Sequence, residues 1–469
     1  MSERPLLTDR RTLLKRAAQF GVAASLTQGI RIQAESSAPK TTAAPTKPTL
    51  QLNVRDFGAV ADGTAKDTTA IQQTIDRCSV FGGGEVLVPA GTYLTGGLAL
   101  RSGVTLRLEK DAVLQGSADM ADYPVTQVRW EGRWIQGHIG FIHAINAANV
   151  GIVGEGKISG ADSLGGRPTK DLPLRHPALI EFVGCQGIHL EGFSTSYNRM
   201  WSIHPSNSDN IVIRNLTIRS TGGNGDGIDI DSCKHVLIEG CDISTGDDCI
   251  SLKSGRGEEG YTLLRTTEDI TIRNCTFADS IFACIGIGSE TSGGIRNVRV
   301  SHCKFTAAKT HAIYIKSRPG RGAFVEDLDM EDLEASNMHL GFLRINQLNS
   351  GIQDEYAVPG MDGIPTFRNF RFRNVRVHDA PVLVQATEIH PDKPLDGLLL
   401  SDIEGTCAKG ITLVNTTHAE LKNIHVTGFE GPLLSTYNVT GKGLQGSTTI
   451  AAPAKPAAVP EPATPYKLH

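Results

Sequence analysis

The sequence lacks three things that would each fix a function class at once. No stretch approaches the roughly 18 consecutive apolar residues of a spanning helix, so no membrane span is expected. No basic run appears, and 46 Lys and Arg stand against 50 Asp and Glu, a balance of −4 that argues against a general polyanion binder; nucleic acid is not an expected partner. No Cys-x-x-Cys pair occurs, and the nine cysteines are an odd number scattered from Cys78 to Cys407. That pattern excludes a disulfide-dense scaffold and a zinc site, leaves buried free thiols as the expectation, and calls for no metal or other cofactor. What remains, 39% hydrophobic and 20% charged residues with 51 glycines, is a soluble globular composition.

Composition divides the chain. Residues 1–34 hold Arg10 and Arg11, then Leu13, Leu14 and Lys15, then a weakly apolar run from Ala17 to Ile30. They read as an export signal resembling the twin-arginine type, with Ile32, Gln33 and Ala34 as a cleavage site. Residues 35–50 are a Pro/Ala/Thr-rich linker, 51–446 a single domain, and 447–469 an Ala/Pro-rich tail expected to be disordered. The expectation is an exported, periplasmic or secreted monomer.

From about Asn146 one phrase recurs: a turn, alternating apolar residues, a small or polar residue, and a second alternation. Instances run from Asn149–Ile158 through Asn210–Ile218 and Asp269–Phe277 to Ala419–Val426. Taking Gly192, Asn215, Gly240, Asn274 and His302 as equivalent gives spacings of 23, 25, 34 and 28 residues, which fit one coil per repeat with variable loops. The period is two rather than 3.6, and the segments are rich in Ile and Val. A right-handed parallel β-helix follows, an all-β solenoid whose coils bury their inward rows only by stacking. Its open end needs a cap, for which Asp67–Cys78, with Ile71 and Ile75, supplies a short amphipathic helix.

Two neighbouring coils carry acid. Asn224 to Ser232 reads NGDGIDIDS, Gly246 to Lys253 reads GDDCISLK, and Asp226 and Asp247 lie 21 residues apart, close to one coil. Their carboxylates can therefore stack on one face, where like charges raise at least one pKa and leave an acid beside a base, as glycosidic cleavage requires. A lone Asp-Gly is usually a solvated turn; five aspartates in two phrases reverse that reading. Alternation turns Ile228, Ile230, Ile250 and Leu252 inward and Asp229, Asp231, Asp247, Ser251 and Lys253 outward, with Tyr314 and Lys316 further along and Gly286 and Gly288 lining a gap.

The phrases NGDGIDIDS and GDDCISLKSG, followed by IGSETSGG and YIKSRPGRG, resemble glycoside hydrolase family 28, the polygalacturonase-like pectin hydrolases, and the likeness runs from about Leu52 to Gly443. The resemblance implies a right-handed β-helix, a pectic polysaccharide or oligosaccharide as partner, and inverting, metal-free hydrolysis. It implies Asp247 as general acid and Asp226 and Asp248 as the pair activating water. Lys316 matches a lysine that contacts a uronate carboxylate, Trp201 and His204 match a phrase near the site, and Lys253, Glu290, Arg318 and Arg321 are further groove candidates.

Two positions depart from the family pattern. Its His-Gly falls at Ala283 and Cys284, and the Arg of its Arg-Ile-Lys motif is Tyr314. Losing the guanidinium removes a two-pronged carboxylate contact, so Tyr314 and Phe282 point to a less charged sugar beside the cleaved bond, and rhamnogalacturonan stands beside polygalacturonate as substrate. The rivals are a calcium-dependent pectin lyase and a non-catalytic glycan-binding β-helix. Sequence leaves endo and exo action open, since that depends on whether loops such as 116–138 and 347–365 close the groove ends; the reading leans to exo or oligosaccharide action.

Overall fold

The turn residues set the coil. Gly192, Asn215, Gly240, Asn274 and His302 all sit at positive φ, between 52° and 86°. Each follows a residue of one register column, Glu191 pairing with Arg214, then Glu239, Arg273 and Ser301 in succession. Left-handed backbone is costly except for glycine and for short polar side chains that bond locally, which is why Gly and Asn dominate this column. The equivalence drawn from the sequence therefore holds in three dimensions.

The computed structural model describes residues 50–161, 168, 170, 173–459 and 466. The segment read as an export signal and nearly all of the linker lie outside the described residues. Within them, each coil contributes short strands that pair parallel with the coils before and after, giving a large parallel sheet wound as a β-helix. Six strands of one face matter for function: β1 (Ile203–Ser206), β2 (Ile228–Asp231), β3 (Ile250–Lys253), β4 (Ile285–Ile287), β5 (His311–Lys316) and β6 (Gly341–Asn346). Their register stacks Ile203, Ile228, Ile250, Ile285, Ile313 and Leu343 in one inward ladder. All are at most 1% exposed. Each such burial contributes about 1.5–3 kcal/mol, so the ladder fixes both register and the face its outward neighbours occupy.

Helix α1 (Thr68–Val80) closes one end, with Ile71, Ile75 and Cys78 buried. Asp67 caps it through its backbone position only; its carboxylate instead accepts from the N–H groups of Val60 and Ala61 at 2.6 and 2.9 Å, tying down the preceding loop. The nine cysteines are all buried and free. Beyond residue 446, Thr448–Thr449 pairs with Ser435–Thr436, so the stretch read as a disordered tail begins with one more strand. Among the described residues no helix is long and apolar enough to cross a membrane.

Two departures from the coil sit over the β1–β6 face. Val125–Trp130 and Arg133–His138 form an antiparallel hairpin. The loop after β6 returns across the same face through Ser350–Asp354. Arg133 of the hairpin donates to Asp354 of the loop at 3.0 Å, so the two meet over the sheet.

Candidate active site

Between residues of the hairpin and of that loop lies a pocket of about 370 Å³, near the lower end of the roughly 300–1,000 Å³ common for small-ligand sites. Asp226, Asp247 and Asp248 line it, with Trp201, Asn224, Lys253, Phe282, Glu290 and Lys316. One carboxylate oxygen from each aspartate lies within 4.8 Å of the others.

The coil builds this cluster from two turns. Asp226 enters β2 and Asp247 and Asp248 enter β3, and β2 pairs with β3 in register, Asp229 opposite Ser251. Ser251 is fully buried, with its hydroxyl 3.0 Å from Asp248 Oδ2 and 3.4 Å from Asp226 Oδ2. Ala283 donates its N–H to Asp248 Oδ1 at 3.1 Å, and Lys316 Nζ donates to Oδ2 at 2.9 Å. Asp248 is thus held on both oxygens. The outward face of Gly286, directly across from Ser251, is where Asp248 lies: a Cβ there would stand 2.4 Å from Oδ2. The gap expected from Gly286 is filled by the aspartate.

Two lysines serve two of the three acids. Burial works against the Lys316 charge, but Asp248 outweighs it and holds the ammonium above its usual value. Lys253 lies 2.5 Å from Asp229 and 3.6 Å from Asp226; burial opposes its charge too, and Asp229 and Asp226 more than offset this. Asp226 itself is raised by burial, against the pull of Lys253. Asp229, fully buried and flanked by Asp226, is pushed well above the carboxylate range. Asp247 has no lysine in contact, and burial, then the charges of Asp226 and Asp248, push it up to about 8. At neutral pH the pocket therefore holds a protonated acid at Asp247 beside two carboxyls that lysine ammoniums contact, an arrangement suited to acid and base catalysis. An all-oxygen trio could also accept a hard cation such as calcium, but two of its members already face ammonium groups.

Several expected positions are corrected. His204 is fully buried on β1, its Nδ1 3.2 Å from Glu181, with Trp201 packed edge-on over it at 4.6 Å; only Trp201 reaches the pocket, where its ring lies 4.0 Å from Lys253 Nζ. Tyr314 does not line the pocket: it is 7% exposed, lies beneath Lys316, and its hydroxyl accepts from Asn346 at 3.2 Å. Phe282 takes the wall instead, 4.4 Å from Lys316 Nζ. Arg318 is also off the wall, its guanidinium donating to Gly351 O at 2.5 Å and so holding the crossing loop. Glu290 does line it. Asp229 and Asp231 point outward as alternation requires, yet both are fully covered, Asp231 by Arg129 of the hairpin at 2.9 Å. Sequence reasoning missed Glu131, Arg256 and Ser350–Ile352, which reach the pocket from the hairpin and loops; no motif marks them.

Comparison places this arrangement among known proteins. The model of the family described as Glycosyl hydrolases family 28 matches residues 78–383. A probable polygalacturonase of Vitis vinifera is 32% identical over 365 residues, covering 74% of this chain and 72% of that protein. The crystal structure of a hyperthermoactive exopolygalacturonase from Thermotoga maritima superposes with a TM-score of 0.70 at 26% identity, over 82% of this chain and 93% of its own. An α-L-rhamnosidase of Aspergillus niger is 25% identical over 273 residues, 52% of this chain and 58% of that protein.

Proposed function

The chain belongs to glycosyl hydrolases family 28, and from that premise we propose that it hydrolyses α-glycosidic bonds of pectic oligosaccharides or chain ends by inversion, without a metal. It is a glycoside hydrolase acting on pectin. The observation that carries the mechanistic reading is the raised carboxyl of Asp247 beside two lysine-served aspartates in one pocket.

Asp247 protonates the departing glycosidic oxygen as the bond to the anomeric carbon breaks. A water attacks that carbon from the other face and gives its proton to Asp226 or Asp248. Inverting pairs commonly stand roughly 6.5–9.5 Å apart. Here the nearest oxygens of the three acids are within 4.8 Å, a span one water bridges with two hydrogen bonds of about 2.8 Å. Glu131 of the hairpin and Ser350–Ile352 of the loop, which wall the pocket, support exo action by narrowing the groove. The twin-arginine-like composition of segment 1–34 supports export.

The test is a panel of homogalacturonan and rhamnogalacturonan oligosaccharides with the purified protein. Reducing ends, product lengths and the first-formed anomer by proton NMR are recorded. Monosaccharide release with β product first is expected. An unsaturated, ultraviolet-absorbing product abolished by chelator would replace this reading with the lyase, and binding without bond cleavage would replace it with the glycan-binding module.

A further inference from the structure

The pocket wall formed by loops contains a charge that its neighbours do not fully use. Arg321 is 0% exposed and lines the pocket. Its Nη2 donates to Ile352 O at 2.9 Å and its Nε lies 3.0 Å from Asp354 Oδ2, but Nη1 has no hydrogen-bond partner. Asp354 is shared: Arg256 Nε donates to its other oxygen at 2.6 Å, and Arg133 donates to that same oxygen. Arg256 in turn reaches Glu131 at 3.3 Å. One buried carboxylate thus serves three guanidiniums. A guanidinium fully withdrawn from water with an open donor is costly unless a ligand completes it. Burial, with Arg256 and Arg318 nearby, pushes Arg321 down to about 10, against the pull of Asp354 and Glu290.

We propose that Arg321, braced with Arg256 on Asp354, is the carboxylate-recognising element of this pocket and binds the carboxylate of a uronic acid residue at the end of the substrate. The proposal rests on the hydrolase reading above and deepens it. It also resolves the departure at Tyr314: the guanidinium missing from that strand is supplied from the loop that follows it, so the loss at Tyr314 does not make the substrate neutral. The open Nη1 donor of Arg321 suits a carboxylate better than the two lysines, which are occupied by Asp229 and Asp248.

The substitution Arg321→Lys keeps a charge for Asp354 but removes the open Nη1 donor. Wild-type protein is expected to prefer free-acid oligogalacturonates over their methyl esters by about ten- to a hundredfold in kcat/KM, the range of one charge-assisted hydrogen bond, and Arg321→Lys to bring that ratio close to one through KM. An unchanged ratio in a variant with an unchanged Tm would overturn the assignment. Should the variant unfold, the intact protein still decides: D-galacturonate must bind at least about tenfold tighter than D-galactose in calorimetry, and equal affinities would overturn it. This monosaccharide comparison needs no turnover, so failure of the hydrolase reading and failure of the carboxylate site are read separately.

Discussion

Lys316 Nζ lies 2.9 Å from Asp248 Oδ2 and at the same time 4.4 Å above the Phe282 ring. The ammonium is clamped between that carboxyl oxygen and an aromatic face that shields it from water, which strengthens the pair. Replacing Lys316 by Met keeps the stem and removes the charge, so Asp248 loses the donor that holds its Oδ2 in place. The expected result is a drop of roughly 10²-fold or more in kcat with the far-ultraviolet circular dichroism unchanged. A loss confined to KM would show that Lys316 serves substrate rather than Asp248.

Asp247 makes two predictions of opposite kind. With its proton held up to about 8, kcat/KM should fall on the alkaline side with a midpoint near that value, about tenfold per pH unit, and Asp247→Asn should lose at least about 10²-fold in kcat at neutral pH and below. The same raised pKa lies above the ordinary carboxyl value of 3.8, so the proton favours the folded state below about pH 4, and this contribution is lost as pH rises through 8. Asp247→Asn should therefore match the wild-type Tm near pH 4 and exceed it near pH 9. Equal Tm values at both pH values would remove the raised carboxyl from the mechanism.

The sequence was most informative where the fold is local. Alternation of Ile with Asp or Ser along β2 and β3 is read residue by residue, and stacking makes the same order recur on the next coil, so the ladder, the outward acids and the turn column were all legible. Cover was not. Arg129 meets Asp231 across 102 residues and Arg133 meets Asp354 across 221, and no period connects them. Parity says which way Asp229 and His204 point but not what lies on top of them. A buried carboxyl and a buried imidazole were for that reason read as groove residues or left without a role.

Tyr314 illustrates the same limit with a testable consequence. As a wall residue it would mark a neutral sugar, and arginine in its place would favour galacturonan. In the structure it lies under Lys316, with the Arg344 guanidinium 5.2 Å from its ring. An arginine here would face two cations in a nearly closed space, and Tyr314→Arg should lower kcat/KM by similar factors on galacturonan and rhamnogalacturonan oligosaccharides while lowering Tm. Tyr314→Phe loses only the contact with Asn346 and should cost about 1 kcal/mol of stability with little change in substrate preference. A selective gain on galacturonan in Tyr314→Arg would restore Tyr314 to the wall.

Gly286 offers the sharpest separation of fold from chemistry. Its backbone sits in β4 between Ser251 and Tyr314 of the flanking strands, and its φ is not in the left-handed region, so alanine is compatible with the main chain. The inward ladder is untouched, because Ile285 and Ile287 remain. The added methyl would lie 2.4 Å from Asp248 Oδ2 and 2.9 Å from its carboxyl carbon, closer than any real contact. Asp248 must then swing away from Ala283, Ser251 and Lys316, and its share of water activation goes with it. Gly286→Ala is expected to keep a cooperative thermal transition within a few degrees of wild type and to lose roughly 10²-fold or more in kcat, with substrate affinity largely retained. A variant with near wild-type kcat would mean that Asp248 can shift without penalty, and the water would then have to be activated by Asp226 alone.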